Sequence, residues 1–167
     1  YYSHDLNEWQ WQLDQLKLET VPDESAKLLV DRVHGLSKMT RRILGMAACL
    51  GTIFNAKDLA MILEEDALSL ALHLRHAEQS LLISSVEKRK KEGYRFLHDR
   101  IQEAAYQLIP EEKKAAQHLQ IAKALYVAYY HQSSVVPERL FQIAMHMQMG
   151  LDAISERYDE KIAVFKK

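Results

Sequence analysis

Apolar residues recur three and four positions apart along most of this 167-residue chain, the spacing of a helix with one buried stripe. Pro22-Asp23-Glu24 predicts the first helix start, since Pro fits the first helical position and acids there oppose the positive end of the dipole. Leu29, Val33 and Leu36 continue the stripe, and Gly35 is placed to end it. Ser37 predicts a cap for a second helix carrying Met39, Ile43, Met46 and Leu50, stopped by Gly51. Asn55 predicts a third start, with Leu59, Ile62 and Leu63 buried. A fourth helix is expected from Asp66 to Ser80, with Leu70, Leu74, Ala77 and Leu81 on one face. Ahead of all these, the alternation in Trp9-Gln10-Trp11-Gln12-Leu13 has the period of a half-buried strand.

The pattern changes after Leu81. Leu82 to Val86 and Tyr94 to Leu97 favour extended chain, and between them lies a polar run ending in Gly93. Two short strands around a charged tip predict a hairpin, and helices followed by a hairpin form a winged-helix pattern. Asp99 with Gln102 three residues later fits a capping box, with Asp99 as the cap of a helix carrying Ile101, Ala105 and Leu108. Pro110-Glu111-Glu112 restarts a long helix with Leu119, Ala122, Tyr126 and Tyr129 on its face. Pro137-Glu138 starts another, with Leu140, Ile143, Ala144 and Met147. Joined at Ser133-Ser134, these two resemble the first hairpin of a helical-repeat array. The fold class expected is mainly α: a linker with a short strand over residues 1–20, a winged-helix domain over 21–109, and a helical-repeat-like hairpin over 110–167.

Composition agrees. The chain is 48% apolar and 27% charged, with five Gly, three Pro and a formal net charge of −1, which is neither a disordered composition nor a polyanion-coating one. Cys49 has no second cysteine to pair with, and its apolar setting predicts an inert buried thiol in a reducing, cytoplasmic compartment. The apolar stretch from Ile43 to Phe54 is shorter than the roughly 20 residues a membrane span needs, so no membrane partner is expected. The chain opens at Tyr1 and closes without a terminator signal, as expected for a piece of a longer protein.

The chemistry-bearing motifs are sparse. No phosphate loop, dinucleotide glycine motif or serine nucleophile elbow occurs, so the chain is expected to be no enzyme in itself. His73 and His76 lack the further ligands that zinc requires, and no metal site is expected. His98-Asp99-Arg100 has the wrong order for a kinase catalytic loop. Lys88, Arg89, Lys90 and Lys91 at the wing tip could contact nucleic-acid phosphates. The candidate recognition helix nonetheless offers mainly Leu and Ala beside Arg75, His73, His76 and Gln79, and Glu64, Glu65, Asp66 and Glu78 would repel phosphate. A DNA-binding winged helix is the alternative function, the weaker one. Met145, Met147 and Met149 with Phe141 suit core packing or contact with a further helical repeat.

One segment carries a resemblance. Phe96-Leu97-His98-Asp99-Arg100-Ile101-Gln102, continuing through Ala104-Ala105-Tyr106 to Leu108-Ile109-Pro110, is similar to a signature of STAND-class ATPase modules in large multi-sensor serine/threonine and histidine kinases. Trp9 and Trp11, the block Ala47-Ala48-Cys49-Leu50-Gly51 with Phe54, and His118, Ile121, Ala122 and Arg139 to His146 extend it over nearly the whole chain; Met147-Gln148 departs from the leucine-asparagine usual in that family. The resemblance implies a nucleotide-gated switch whose ATP/ADP is bound by an adjacent ATPase domain, with no cofactor on this fragment. It implies as partners the neighbouring ATPase, kinase or sensor domains, with a protein ligand as a further candidate. Leu97-His98-Asp99 is similar to the Met-His-Asp motif of related plant resistance proteins. It implies that His98, in the full-length parent only, senses the ADP phosphate while Asp99 caps the helix.

Overall fold

The computed structural model describes residues 2–3, 8–9, 23–88, 91–129 and 137–154. Strands β1 (Tyr2–Ser3) and β2 (Glu8–Trp9) pair antiparallel, with Tyr2 opposite Trp9; the remainder of the expected strand to Leu13 lies outside the described residues. Helix α1 (Asp23–His34) closes where Gly35 N–H donates to Asp31 O at 3.0 Å. Helix α2 (Lys38–Leu50) begins at Ser37, whose hydroxyl accepts from Thr40 N–H at 3.1 Å, and ends at Gly51 with φ 119°. That left-handed φ suits glycine.

Every residue from Ile43 to Cys49 on α2 is buried. A helical stretch apolar on all sides belongs in the middle of a fold, and α3 (Ala56–Leu63), α4 (Ala67–Gln79) and α5 (Asp99–Gln107) all pack against α2. The chain is mainly α, with one small three-stranded antiparallel sheet ordered β3-β5-β4. In it β3 (Ile53–Asn55) pairs with β5 (Lys91–Phe96), which in turn pairs with β4 (Ile83–Lys88). The predicted hairpin is therefore present, longer toward its tip than the apolar pattern indicated. The third strand, β3, is an addition. It seats Phe54 in the core, with ring centroids 5.5 Å from Phe96 and 5.9 Å from Tyr94.

Helix α4 ends where expected, and α3 and α4 close in the same way. At the end of α3, Glu64 (φ 55°) is left-handed, Glu65 N–H donates to Ala60 O and Glu64 N–H to Met61 O. At the end of α4, Leu81 (φ 57°) is left-handed, Leu82 N–H donates to Ala77 O and Leu81 N–H to Glu78 O. Both are Schellman closures, in which glycine is the usual left-handed residue, and neither carries one. The closure corrects one assignment: Leu81 is 60% exposed, and Leu82, fully buried, takes the core place expected for it.

Helices α6 (Glu111–Tyr129) and α7 (Pro137–Met149) pack on each other, and α6 also packs on α3. The core is continuous across them, because Ile121, Leu125 and Ile143 belong to the same apolar cluster as Ile62 and Ile101. The inward faces agree with the predicted ones in part, since Leu119 and Ala122 on α6 and Ile143 on α7 are buried as expected. On α6, His118, Leu119, Ile121, Ala122 and Leu125 are buried while Tyr126 is exposed. On α7 the inward stripe is Arg139, Ile143, His146 and Gly150, and Leu140, Ala144 and Met147 face out. On α7 Arg139 and His146 share the inward phase with Ile143, and so the rest of the expected stripe faces out. The turn expected at Ser133-Ser134 lies outside the described residues.

Candidate functional site

The entry to α5 is built by the sheet. Leu97 N–H donates to Leu82 O at 3.1 Å, which anchors the chain as it leaves β5. His98 follows in extended conformation (φ −152°, ψ 145°), half-buried, and its Nδ1 accepts from Arg100 N–H at 3.0 Å. The cap of α5 is thus His98 and not Asp99. The imidazole lone pair reaches the second helical amide from the position just outside the helix, where a cap must sit. Asp99 takes the first helical position, exposed, where its charge opposes the positive end of the dipole. Gln102 is no capping-box partner either. Its amide nitrogen donates to Ala48 O at 3.1 Å, and its oxygen accepts from Thr52 Oγ1 at 2.8 Å, tying α5 to the end of α2.

Because Nδ1 accepts, the neutral ring carries its proton on Nε2 and can donate only from there. Arg100 N–H is used by the ring and Ile101 N–H by His98 O at 3.0 Å, which leaves little of the amide cradle that helix starts usually offer an anion. Any anion recognition at this site falls mainly to His98 Nε2. Arg100 pairs with Glu103 at 3.0 Å on the surface.

Of the wing-tip cations, Arg89 and Lys90 lie outside the described residues. Lys88 and Lys91 are described in their backbone alone, as the last register pair of β4 and β5. The candidate recognition helix α4 is capped by Asp66, whose carboxylate accepts from Leu68 and Ser69 N–H. Its outer face presents Leu68 (71% exposed) and Leu72 (62%), with Arg75, His76 and Gln79 exposed as well. Its polar residues are partly committed inward: His73 Nδ1 bonds Thr40 Oγ1 at 3.0 Å, and Glu78 accepts from Ser85 N–H at 2.8 Å. Cys49 is buried, and burial pushes its thiol up to about 12, as expected of an inert cysteine. Among the described residues no group of three or more His, Cys, Asp or Glu is placed to hold a metal ion, and no helix is long and apolar enough to cross a membrane.

Two polar clusters, undetected in the sequence, join α6 and α7 to the rest. In the first, Tyr106 Oη of α5 lies 3.2 Å from His118 Nε2 of α6, and His118 Nδ1 lies 2.8 Å from His146 Nδ1 of α7. His146 is fully buried, with its Nε2 lacking a partner among the described residues. Two neutral rings facing through their Nδ1 atoms share one proton, so the tautomers of Tyr106, His118 and His146 are coupled. Burial, and secondarily the charge of His118, holds His146 down to about 4; burial also lowers His118. In the second cluster, Tyr129 Oη of α6 donates to Asp58 Oδ1 of α3 at 2.5 Å, and Arg139 of α7 pairs with Asp58 Oδ2 at 2.9 Å. The Arg139 guanidinium also sits 4.5 Å from the Tyr129 ring centre. Burial, then the bond to Asp58, raises the Tyr129 phenol. The members of each cluster are far apart in sequence. The available signal was the inward spacing of Arg139, Ile143, His146 and Gly150.

The chain is similar to the hybrid signal transduction histidine kinase G of Dictyostelium discoideum, at 23% identity over 214 residues, covering 99% of this chain. It spans about 6% of that relative's length. No protein-family profile matches the chain, and no solved structure does. The chain thus has a distant relationship to a signalling kinase.

Proposed function

We propose that this chain is a non-catalytic regulatory region of a STAND-type signalling ATPase-kinase, a winged helix followed by the first helical hairpin of a repeat array. It couples the nucleotide state of an adjacent ATPase domain to a kinase or sensor output. The observation that carries this is the order α2-β3-α3-α4-β4-β5, with β5 central in the sheet, handing over at His98 to α5. That order suits a winged helix, and the similarity to a signalling histidine kinase supports the setting.

In this reading the nucleotide belongs to the neighbouring domain, and this chain supplies one donor, His98 Nε2–H. The tautomer set by the Arg100 N–H bond suits donation from Nε2 to a phosphate oxygen. Removing the donor should loosen the closed, ADP-bound state. In the full-length parent, His98→Ala is expected to speed release of a fluorescent ADP analogue about tenfold, the loss of about one charge-assisted hydrogen bond. Release unchanged from wild type would refute the role.

The DNA-binding alternative is the weaker one: beside the exposed Arg75, His76 and Gln79, α4 turns out Leu68 and Leu72, which offer neither donors nor charge to base edges or phosphates. A gel shift of the fragment at moderate salt separates the two, with no shift expected.

A further inference from the structure

We propose that α7 is an acid-released helix: protonation of the His118–His146 pair undocks it from α6 while the rest of the fold stays closed. The hold of α7 is mostly polar. It packs on α6, and of its inward residues Arg139, Ile143, His146 and Gly150, a single one, Ile143, is large and apolar. The other fastenings are Arg139 on Asp58 at 2.9 Å and His146 on His118 at 2.8 Å. Helix α2, by contrast, is buried at every residue from Ile43 to Cys49. An element fixed by few buried apolar side chains opens at a lower free energy than the core, so α7 can come off first.

The pair has no room for a further proton. His118 Nδ1 and His146 Nδ1 face each other across 2.8 Å, which accommodates one hydrogen. The other hydrogen of the neutral pair sits on one of the two Nε2 atoms. An added proton therefore fills both, whichever ring it enters. His118 Nε2–H then meets Tyr106 Oη at 3.2 Å. His146 Nε2–H meets nothing, since the ring is fully buried and that nitrogen has no partner among the described residues. A buried donor left unpaired is costly, and more so when it carries charge.

The surrounding groups do not compensate that charge. From α6, Lys114 lies 4.7 Å from the Tyr106 ring centre and disfavours a second positive charge on His118. From α5 the facing group is the Tyr106 phenol, raised by burial. From α2, Cys49 keeps its proton, its thiol pushed up by burial to about 12. The acids are committed or exposed: Asp58 of α3 holds Tyr129 and Arg139, Glu111 holds Lys114, and Glu112, Glu138 and Asp152 face water. Among the described residues neither ring is paired with a carboxylate. Burial, and then His118, holds the docked His146 down to about 4, whereas a ring released into water takes its proton near 6.5. Release therefore grows as the pH falls from 6.5 toward 4, and above 6.5 α7 stays docked. It requires no nucleotide and no neighbouring domain.

Hydrogen exchange of the full 167-residue chain tests this at pH 7 and pH 5, with and without about 1 M urea, after correction for the intrinsic pH dependence of amide exchange. The amides of α7 should exchange faster than those of α2 at both pH values. Their protection should fall at least about twentyfold from pH 7 to pH 5. Low urea should leave it unchanged, because local opening exposes little surface, while the protection of α2 falls. His146→Gln keeps an amide to face His118, and its response to pH should be at least about threefold smaller. His34→Gln, exposed at the end of α1, should respond as wild type does. Three results would each overturn the proposal: protection of α7 indifferent to pH, a full response in His146→Gln, or α7 and α2 sharing one rate and one urea dependence. The last is read from the wild-type chain alone.

Discussion

Asp58→Ala removes the carboxylate that holds α3, α6 and α7 together. The Asp58 side chain is 6% exposed and accepts from both Tyr129 and Arg139, and the Arg139 side chain is 22% exposed. Deleting one member of a buried ion pair costs about 3–5 kcal/mol, since the other charge is left without compensation. Arg139 can still reach some water, which places the expected loss at the lower edge, about 3 kcal/mol. In a domain of this size, about 2–4 °C accompanies each kcal/mol, so the melting temperature should fall by about 6–12 °C. Urea titration should show a lower midpoint with an unchanged slope, because the surface exposed on unfolding stays the same. A double-mutant cycle with Arg139→Met isolates the pair and should give a coupling above about 1 kcal/mol. A loss below about 1 kcal/mol, or additive single effects, would show that the second cluster does not fasten the hairpin.

The buried histidines predict a loss of stability on mild acidification. The unfolded His146 takes a proton near its ordinary 6.5, whereas the folded one resists until about 4, so its contribution is complete above pH 6.5 and is lost as the pH falls toward 4. About 2 kcal/mol should disappear between pH 7 and 5, and chemical denaturation of His146→Gln should show a flatter profile over that window; identical profiles would refute the assignment. Gly150→Ala should destabilise by about 1–3 kcal/mol by thermal melt, since a Cβ there would lie 2.8 Å from the Leu119 backbone nitrogen and must push α6 from α7. Leu81→Gly should do the reverse and stabilise by about 0.5–1 kcal/mol, because the residue is left-handed and its side chain is mostly in water; a lower melting temperature would show that Leu81 packs more than its exposure indicates.

Local chemistry made much of the first part of the fold legible. Ser37, Asn55 and Asp66 each announce a helix by a side chain that can accept from the following turn, and each does so in the structure. The hairpin was legible because its residues stop repeating at three and four and favour extended chain. What stayed hidden depended on partners distant along the chain. Strand β3 is three residues long and becomes a strand through pairing with β5. The ends of α3 and α4 use Glu64 and Leu81 where glycine would have signalled them. At α5 the cap fell on His98 one residue before the acid, because an imidazole nitrogen can accept an amide as a carboxylate does.

Helix α7 shows the deepest reason for what was missed. Its apolar residues have helical spacing, and that spacing predicted the helix and the burial of Ile143 correctly while Leu140, Ala144 and Met147, also expected inward, face out. Arg139 and His146 turn inward because Asp58 and His118 satisfy them there, and Gly150 turns inward because nothing larger fits beside Leu119. A polar stripe that finds buried partners outcompetes an apolar one for the core side, since a buried polar group that is already bonded no longer carries its full desolvation cost. The displaced apolar stripe then remains exposed on the outer face. Periodicity reports that a helix has a face to bury, and the complementarity of the neighbouring surface decides which face that is.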